Sequence, residues 1–246
     1  MSGAFVAGGS RGIGRAAVLA LAAGGADVAI GYRSNDDAAR ATAGEVEALG
    51  RRAVLVRGDV AGDPAALVEQ AADALGGGLD AFVACAVDPI RGSILDLTAD
   101  DFDRTMRANA RPFVLGAIAA ASHMQDGRGR IVAVSSTGTH VIRNPQYAPM
   151  GLAKGAVEAA VRFLAVALGP RGITVNTIAP GPTATEAFDA MADDPTGLRE
   201  RLEKITPMGR MGVPDDAARA IAFLCSADAG WVTGQLLFSD GGYSLV

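Results

Sequence analysis

The chain lacks any Ser/Pro-rich linker, low-complexity tract or fixed-period repeat, which excludes a tandem array and leaves one domain over residues 1–246. It lacks a basic patch. The formal net charge is -5 and the two signs are interspersed, so no nucleic-acid partner is expected. It lacks a long hydrophobic run. Gly, Arg and Asp interrupt every apolar stretch before membrane-spanning length, so no membrane partner is expected. The first strand candidate begins almost at Met1, leaving no room for a signal peptide and pointing to the cytoplasm. Only two cysteines occur, Cys85 and Cys225, neither in a CxxC pair, so both read as buried thiols of a reducing compartment. No His/Cys/Asp/Glu cluster has metal-site spacing, and no metal is expected.

What is present is apolar and rich in glycine: half the residues are hydrophobic and 32 are Gly. Short β-branched or apolar runs read as strands at 4–7, 27–32, 53–56, 81–85, 131–135, 174–178 and 235–238. Between them lie helical stretches at 12–23, 37–49, 64–75, 99–125, 149–168, 186–204 and 214–226. Strands separated by helices of this length need crossover connections, so the sheet is expected to be parallel and covered on both faces. Continuous apolar strands agree with that burial. The fold class expected is α/β: a single-domain, Rossmann-type, doubly wound parallel sheet of about seven strands, with ligands at their carboxyl ends.

The run Ala7-Gly8-Gly9-Ser10-Arg11-Gly12-Ile13-Gly14 joins the first strand to the first helix. Its glycines let the backbone approach a pyrophosphate, and the helix N-terminus supplies N–H donors and a positive dipole. The spacing Gly8-x3-Gly12-x-Gly14 differs from the GxGxxG of ordinary dinucleotide domains. The second strand ends in Gly31-Tyr32-Arg33-Ser34, where an NAD site places Asp or Glu to hold both ribose hydroxyls. Arg33 there, with Arg11 in the glycine loop, suits a 2′-phosphate, so the cofactor expected is NADPH (NADP+). Asp59-Val60, after the third strand, is placed to meet the adenine edge.

Tyr147 stands seven residues before Lys154. A Tyr–Lys pair suits acid catalysis beside a nicotinamide, because the ammonium favours phenolate and lowers the phenol pKa towards neutrality.

With these residues in view, the chain resembles the short-chain dehydrogenases/reductases along essentially its whole length. The resemblance rests on Gly8-x3-Gly12-Ile13-Gly14, Asp59-Val60, Asn109, Ser135-Ser136, Lys154, Asn176 to Pro180-Gly181 and Asp240-Gly241-Gly242. The run Thr206-Pro207-Met208-Gly209-Arg210-x-Gly212-x-Pro214 through Thr233-Gly234-Gln235 adds to it. It implies that Lys154 binds the nicotinamide ribose and lowers the pKa of the acid, and that Asn109 holds a water in the proton relay. The Pro180-Gly181 loop, with Thr183 and Thr185, would meet the carboxamide and pyrophosphate. Ser136 matches the serine that orients the substrate carbonyl, with Ser135 and Thr137 as alternatives. Residues 185–206 correspond to a substrate lid, where Phe188, Met191 and Leu202 would line an acyl pocket. The small-residue faces of 99–125 and 149–168 correspond to those that pair family members into a homotetramer.

Two departures carry information. Many members have Asn-Asn-Ala-Gly after the fourth strand, whereas this chain has Ala84-Cys85-Ala86-Val87, which predicts an altered loop without a positive φ at Val87. Ala84 is still counted among the cofactor contacts. Most members also have a tyrosine four residues before the lysine, where this chain has Met150. Pro149 belongs in the first turn of a helix, so the helix is expected to start near Ala148 with Tyr147 just upstream. Seven residues span about 10 Å if helical, so the acid is displaced from the nicotinamide. In ketone reduction the acid serves the oxygen on the carbon that takes the hydride. In enoyl-thioester reduction that oxygen lies two carbons further along, which suits a displaced acid. The Tyr-x6-Lys spacing is also that of the enoyl-acyl-carrier-protein reductases in this family, and the chain from Tyr147 onward looks most like their NADPH-dependent third class.

The leading expectation is therefore NADPH-dependent reduction of an enoyl thioester on an acyl carrier protein or CoA. The first alternative is a carbonyl reductase of a 3-oxoacyl or polyketide substrate, with Tyr147 or His140 as the acid. The second is a non-catalytic NADPH-binding protein. Arg143 reads either as a contact to an acyl-carrier phosphate or as a solvent-facing charge.

Overall fold

The computed structural model describes residues 1–189 and 194–246. Seven strands form one sheet: β1 (Gly3–Ala7), β2 (Asp27–Tyr32), β3 (Ala53–Arg57), β4 (Ala81–Ala84), β5 (Arg130–Val134), β6 (Thr174–Pro180) and β7 (Leu236–Ser239). They pair in the order β3-β2-β1-β4-β5-β6-β7, each pair parallel. Val6 of β1 lies between Ile30 of β2 and Val83 of β4. Winding reverses between β1 and β4, and that reversal opens the crevice in which such sheets bind ligands.

The helices described are α1 (Gly12–Ala23), α2 (Asp36–Ala48), α3 (Pro64–Ala74), α4 (Ala99–Asn109), α5 (Arg111–Ser122), α6 (Ala148–Leu168), α7 (Glu186–Asp189), α8 (Pro195–Ile205) and α9 (Pro214–Cys225). Successive strand residues face opposite sides, so each strand feeds two cores. Phe5, Phe82 and Ile131 pack on one face with Phe113 of α5 and Val157 and Val161 of α6. Val6, Ile30 and Val83 pack on the other with Val18 of α1 and Ile221 and Leu224 of α9. The stacked rings of Phe5 and Phe82, 5.7 Å apart, tie β1 to β4 directly beneath the crevice. Each buried side chain of this size contributes about 1.5–3 kcal/mol. Among the described residues no helix is long and apolar enough to cross a membrane.

Two expected helices are divided. The stretch 99–125 breaks at Ala110 into α4 and α5, because Pro112 has no N–H to continue the ladder and crowds the preceding turn. The break puts Asn109 at the last position of α4. The stretch 186–204 is α7 and then α8, and Met191 lies outside the described residues.

Candidate active site

A cleft of about 1200 Å³ opens at the carboxyl ends of the strands. Its floor is the glycine loop. A Cβ on Gly14 would stand 2.0 Å from the Gly8 carbonyl oxygen, and one on Gly8 would stand 2.7 Å from the Ala86 backbone. Gly8 also takes φ +83, a left-handed conformation that favours glycine. Bare backbone at these points lets the turn fold tightly under the loop that leaves β4. Gly8, Ser10, Arg11, Gly12, Ile13 and Gly14 all face the cleft, as do Arg33, Asp59, Val60, Pro180, Gly181, Thr183 and Thr185. The cradle therefore fits a dinucleotide. Ser34 and Ala84 are not among its lining residues.

Arg33 makes no ion pair among the described residues, so its guanidinium is available to a phosphate. Arg11, expected beside it, reaches instead to Glu186 of α7 at 3.1 Å. Both side chains of that pair are largely exposed, so the pair restrains Arg11 only weakly.

At the far end of the cleft, α6 starts at Ala148 with Pro149 in its first turn, leaving Tyr147 as the cap. The register expected from Pro149 is the one observed. Gly92 N–H donates to the Gln146 carbonyl at 2.9 Å, which fixes the approach to the helix. The Tyr147 ring lies against Gly138, and its phenol lies close enough to the Ser136 hydroxyl for that hydroxyl to favour the phenolate. Ser136 in turn accepts from the Gly138 N–H at 3.1 Å. Met150 is buried and offers no proton.

The expectation that Lys154 lowers the Tyr147 pKa is not met. Burial raises the phenol, the Ser136 hydroxyl opposes the rise, and Lys154 does not contribute. The displacement along α6 explains this, because the Lys154 ammonium is engaged elsewhere. Lys154 Nζ donates to the Val134 carbonyl at 2.7 Å. Burial pushes Lys154 down to about 8, against the upward pull of Cys85 and Glu158. Tyr147 is thus a neutral hydrogen-bond donor at neutral pH, suited to delivering a proton rather than accepting one.

The Asn109 side chain is taken up by backbone groups. Its Oδ1 accepts from the Asp88 N–H at 2.9 Å, and its Nδ2 donates to the Asp88 and Thr105 carbonyls. The amide pins the altered loop after β4, whose residues, Val87 included, avoid positive φ. A second cavity of about 20 Å³, room for about one water, lies between Asn109, Lys154 and Val134.

One residue was missed in the sequence. Glu158, one turn beyond Lys154, is buried; it accepts from Ser135 Oγ at 2.5 Å and contacts His140 Nε2 at 2.8 Å. It clamps both ends of the segment that carries Ser136 and Gly138. The carboxylate four residues after a site lysine on one helix face was the available signal. His140, considered as an alternative acid, is turned onto Glu158 and the edge of the Phe238 ring and does not line the cleft. Burial pushes the Cys85 thiol up to about 11 and that of Cys225 up to about 12, so both are inert.

The family model described as Enoyl-(Acyl carrier protein) reductase matches residues 7–244. The chain is 39% identical over 246 residues to a 1-cyclohexenylcarbonyl-CoA reductase of Streptomyces collinus, covering 98% of this chain and 86% of that protein. It is 36% identical over 251 residues to a versicolorin reductase of Emericella nidulans, covering 97% and 94%. An L-rhamnose 1-dehydrogenase (NAD(P)(+)) of a Sphingomonas species is 41% identical over 97% and 94%. Among solved structures, a short chain dehydrogenase from Burkholderia cenocepacia in complex with NADP superposes with a TM-score of 0.89 at 37% identity, covering 98% and 96%. A blue fluorescent protein from a metagenomic library in complex with NADPH gives 0.90 at 37%, covering 98% and 97%.

Proposed function

The chain belongs to the short-chain dehydrogenase/reductase family, and from that premise we propose that it reduces the C=C bond of an enoyl thioester with NADPH. Its coarser activity is NADP(H)-dependent oxidoreduction at a carbonyl or enoyl group. The cofactor assignment draws on the glycine cradle, on Arg33 at the end of β2, and on the two similar structures that hold NADP and NADPH.

One observation carries the enoyl reading: the phenol that meets Ser136 belongs to Tyr147, ahead of α6, while Met150 fills the position one turn before Lys154. When bound, NADPH supplies a hydride. Arg33 and the glycine loop would hold the cofactor's phosphates, and Lys154 would hold the nicotinamide ribose. Ser136 and Tyr147 donate to the thioester oxygen, which carries negative charge as the β-carbon is reduced. Tyr147 stays protonated at neutral pH, which favours the reductive direction. The relative that reduces 1-cyclohexenylcarbonyl-CoA acts on a double bond conjugated with a thioester, as its name states.

A second reading is ketone reduction by the same residues. The relatives taken together favour it over the enoyl reading, since the name of only one of those described above specifies an unsaturated thioester. The Ser136–Tyr147 pair is also competent to hold a ketone oxygen. Oxidation of NADPH with a trans-2-enoyl thioester and a 3-oxoacyl thioester, assayed side by side, separates the two. Turnover of the oxo substrate alone removes the enoyl reading. We further propose a homotetramer built on α5 and α6, where Ile118, Phe163 and Val166 stand exposed.

A further inference from the structure

The cleft has the opposite charge to the protein. The chain carries -5 overall, yet eight cationic and only four acidic side chains line this one cleft. Arg11, Arg33 and Lys154 belong to the cofactor half. The rest are arginines on the substrate half, where Arg104 pairs with Asp88 at 3.1 Å while, among the described residues, three others lack a carboxylate partner. Arg51, Arg171, Arg199 and Arg210 each have a carboxylate within 2.7–2.8 Å. Among the described residues Arg107, Arg143 and Arg201 have none.

Two of these converge on Tyr243. The Arg143 guanidinium lies 4.8 Å from the centre of the Tyr243 ring, and among the described residues its only hydrogen bond is a long one, 3.5 Å, to the Tyr243 carbonyl. Burial raises the Tyr243 phenol, and the Arg143 and Arg201 charges both oppose that rise, so both act on one point of the cleft wall. Arg143 comes from the loop before α6, Arg201 from α8 and Tyr243 from the C-terminal turn. Three separate segments thus deliver two unneutralised guanidinium groups to the wall of the substrate half. Tyr243 also packs with Leu202 and Met211, which gives the site a fixed backing. Guanidinium groups suit the charge and planar hydrogen bonding of a phosphate.

We propose that Arg143 and Arg201, flanking Tyr243, bind a phosphate of the substrate's phosphopantetheine arm. This rests on the thioester reading of the same cleft, and it adds the residues that grip the carrier end. The phosphate has two sources, free CoA and the prosthetic arm of a carrier protein, and both share the 4′-phosphopantetheine chemistry.

Binding separates the site from the reaction. Calorimetric titration of the NADP+-saturated protein with CoA, 4′-phosphopantetheine and uncharged pantetheine is expected to show the two phosphorylated ligands binding at least about tenfold tighter than pantetheine. Their affinity should fall as salt rises. Tighter binding of CoA than of phosphopantetheine assigns free CoA, and equal binding assigns a carrier arm. Arg143→Gln with Arg201→Gln should abolish the preference while leaving NADP+ affinity unchanged. Arg201→Gln alone, which leaves the Arg143–Tyr243 contact intact, should give part of that loss. Equal binding of pantetheine, no binding of any of the three, or an undiminished preference in the double variant overturns the proposal. Phosphate-dependent binding without thioester turnover removes the thioester reaction and keeps the anion site. Thioester turnover indifferent to the phosphate does the reverse.

Discussion

Gly138 offers the sharpest test of where the acid sits. Its φ is not left-handed, so alanine suits the backbone. The difficulty is purely steric. A Cβ at Gly138 would stand 2.8 Å from both Cδ1 and Cε1 of Tyr147, whereas ordinary contact begins at 3.4 Å. The ring must therefore move by about 0.6 Å or more, and its hydroxyl, at the end of the ring, moves with it. A 1 Å misplacement of a catalytic group costs on the order of a hundredfold. Gly138→Ala should lower kcat by roughly tenfold to a hundredfold, equivalent to about 1.4–2.7 kcal/mol. The glycine loop, Arg33 and Lys154 are untouched, so the Kd for NADPH, read from nicotinamide fluorescence, should stay within about twofold. Gly155→Ala is the control, because its nearest neighbour would be Thr139 Cγ2 at 3.8 Å. Wild-type turnover in Gly138→Ala, with the substrate saturating, would mean that the Tyr147 ring takes no part in the chemistry.

Tyr147→Phe should reduce kcat by roughly 10²–10⁴-fold with NADPH binding intact, and unchanged turnover would remove Tyr147 from the mechanism. Arg33→Asp should shift the ratio of kcat/KM for NADPH over NADH by at least about tenfold towards NADH, since it replaces the phosphate partner by the group that holds both ribose hydroxyls; an unmoved ratio would show that Arg33 does not read the cofactor. The folded pKa of Lys154, about 8, lies below its reference value of 10.5. The unfolded chain holds the extra proton between those values, so the stability penalty is full below about pH 8 and fades as pH rises towards 10.5. Lys154→Met should thus stabilise the cofactor-free protein at pH 7, by on the order of 3 kcal/mol at most, and urea titrations showing the same gain at pH 7 and pH 10.5 would contradict this. The Glu158 charge favours protonated Lys154, so Glu158→Gln should move the alkaline loss of NADPH affinity to lower pH; an unshifted profile would confine Glu158 to packing.

The fold was legible because its signals are local and agree with one another. Apolar strands bounded by glycine, and helices opened by Asn35, Asp63 and Thr98 as side-chain caps, all declare themselves within a few residues. The break at Ala110 was less visible. A proline at 112 is compatible both with the interior of a long kinked helix and with the first turn of a new one, and tertiary packing decides between them. The helix 186–204 failed for a similar reason, because Pro195 opens α8 just as Pro149 opens α6.

The site divides along a different line, between what backbone register fixes and what side-chain competition decides. The displacement of Tyr147 followed from one proline, since Pro149 fixes the helix start wherever the side chains go. The partners of Lys154, Asn109, Arg11 and His140 did not follow, because each has several polar groups within reach and the surrounding tertiary structure, rather than local sequence, selects among them. Lys154 takes the Val134 carbonyl, Asn109 takes the Asp88 backbone, Arg11 takes Glu186 and His140 takes Glu158. The same distinction explains the acid. A tyrosine one turn from the lysine shares its charge and is poised to ionise. Tyr147, held outside the helix against Gly138, feels the Ser136 hydroxyl instead, and burial keeps its proton on. A neutral donor stabilises negative charge on a substrate oxygen but does not readily take a proton back. On that basis the site favours reduction over oxidation, whichever of the two oxygens it serves.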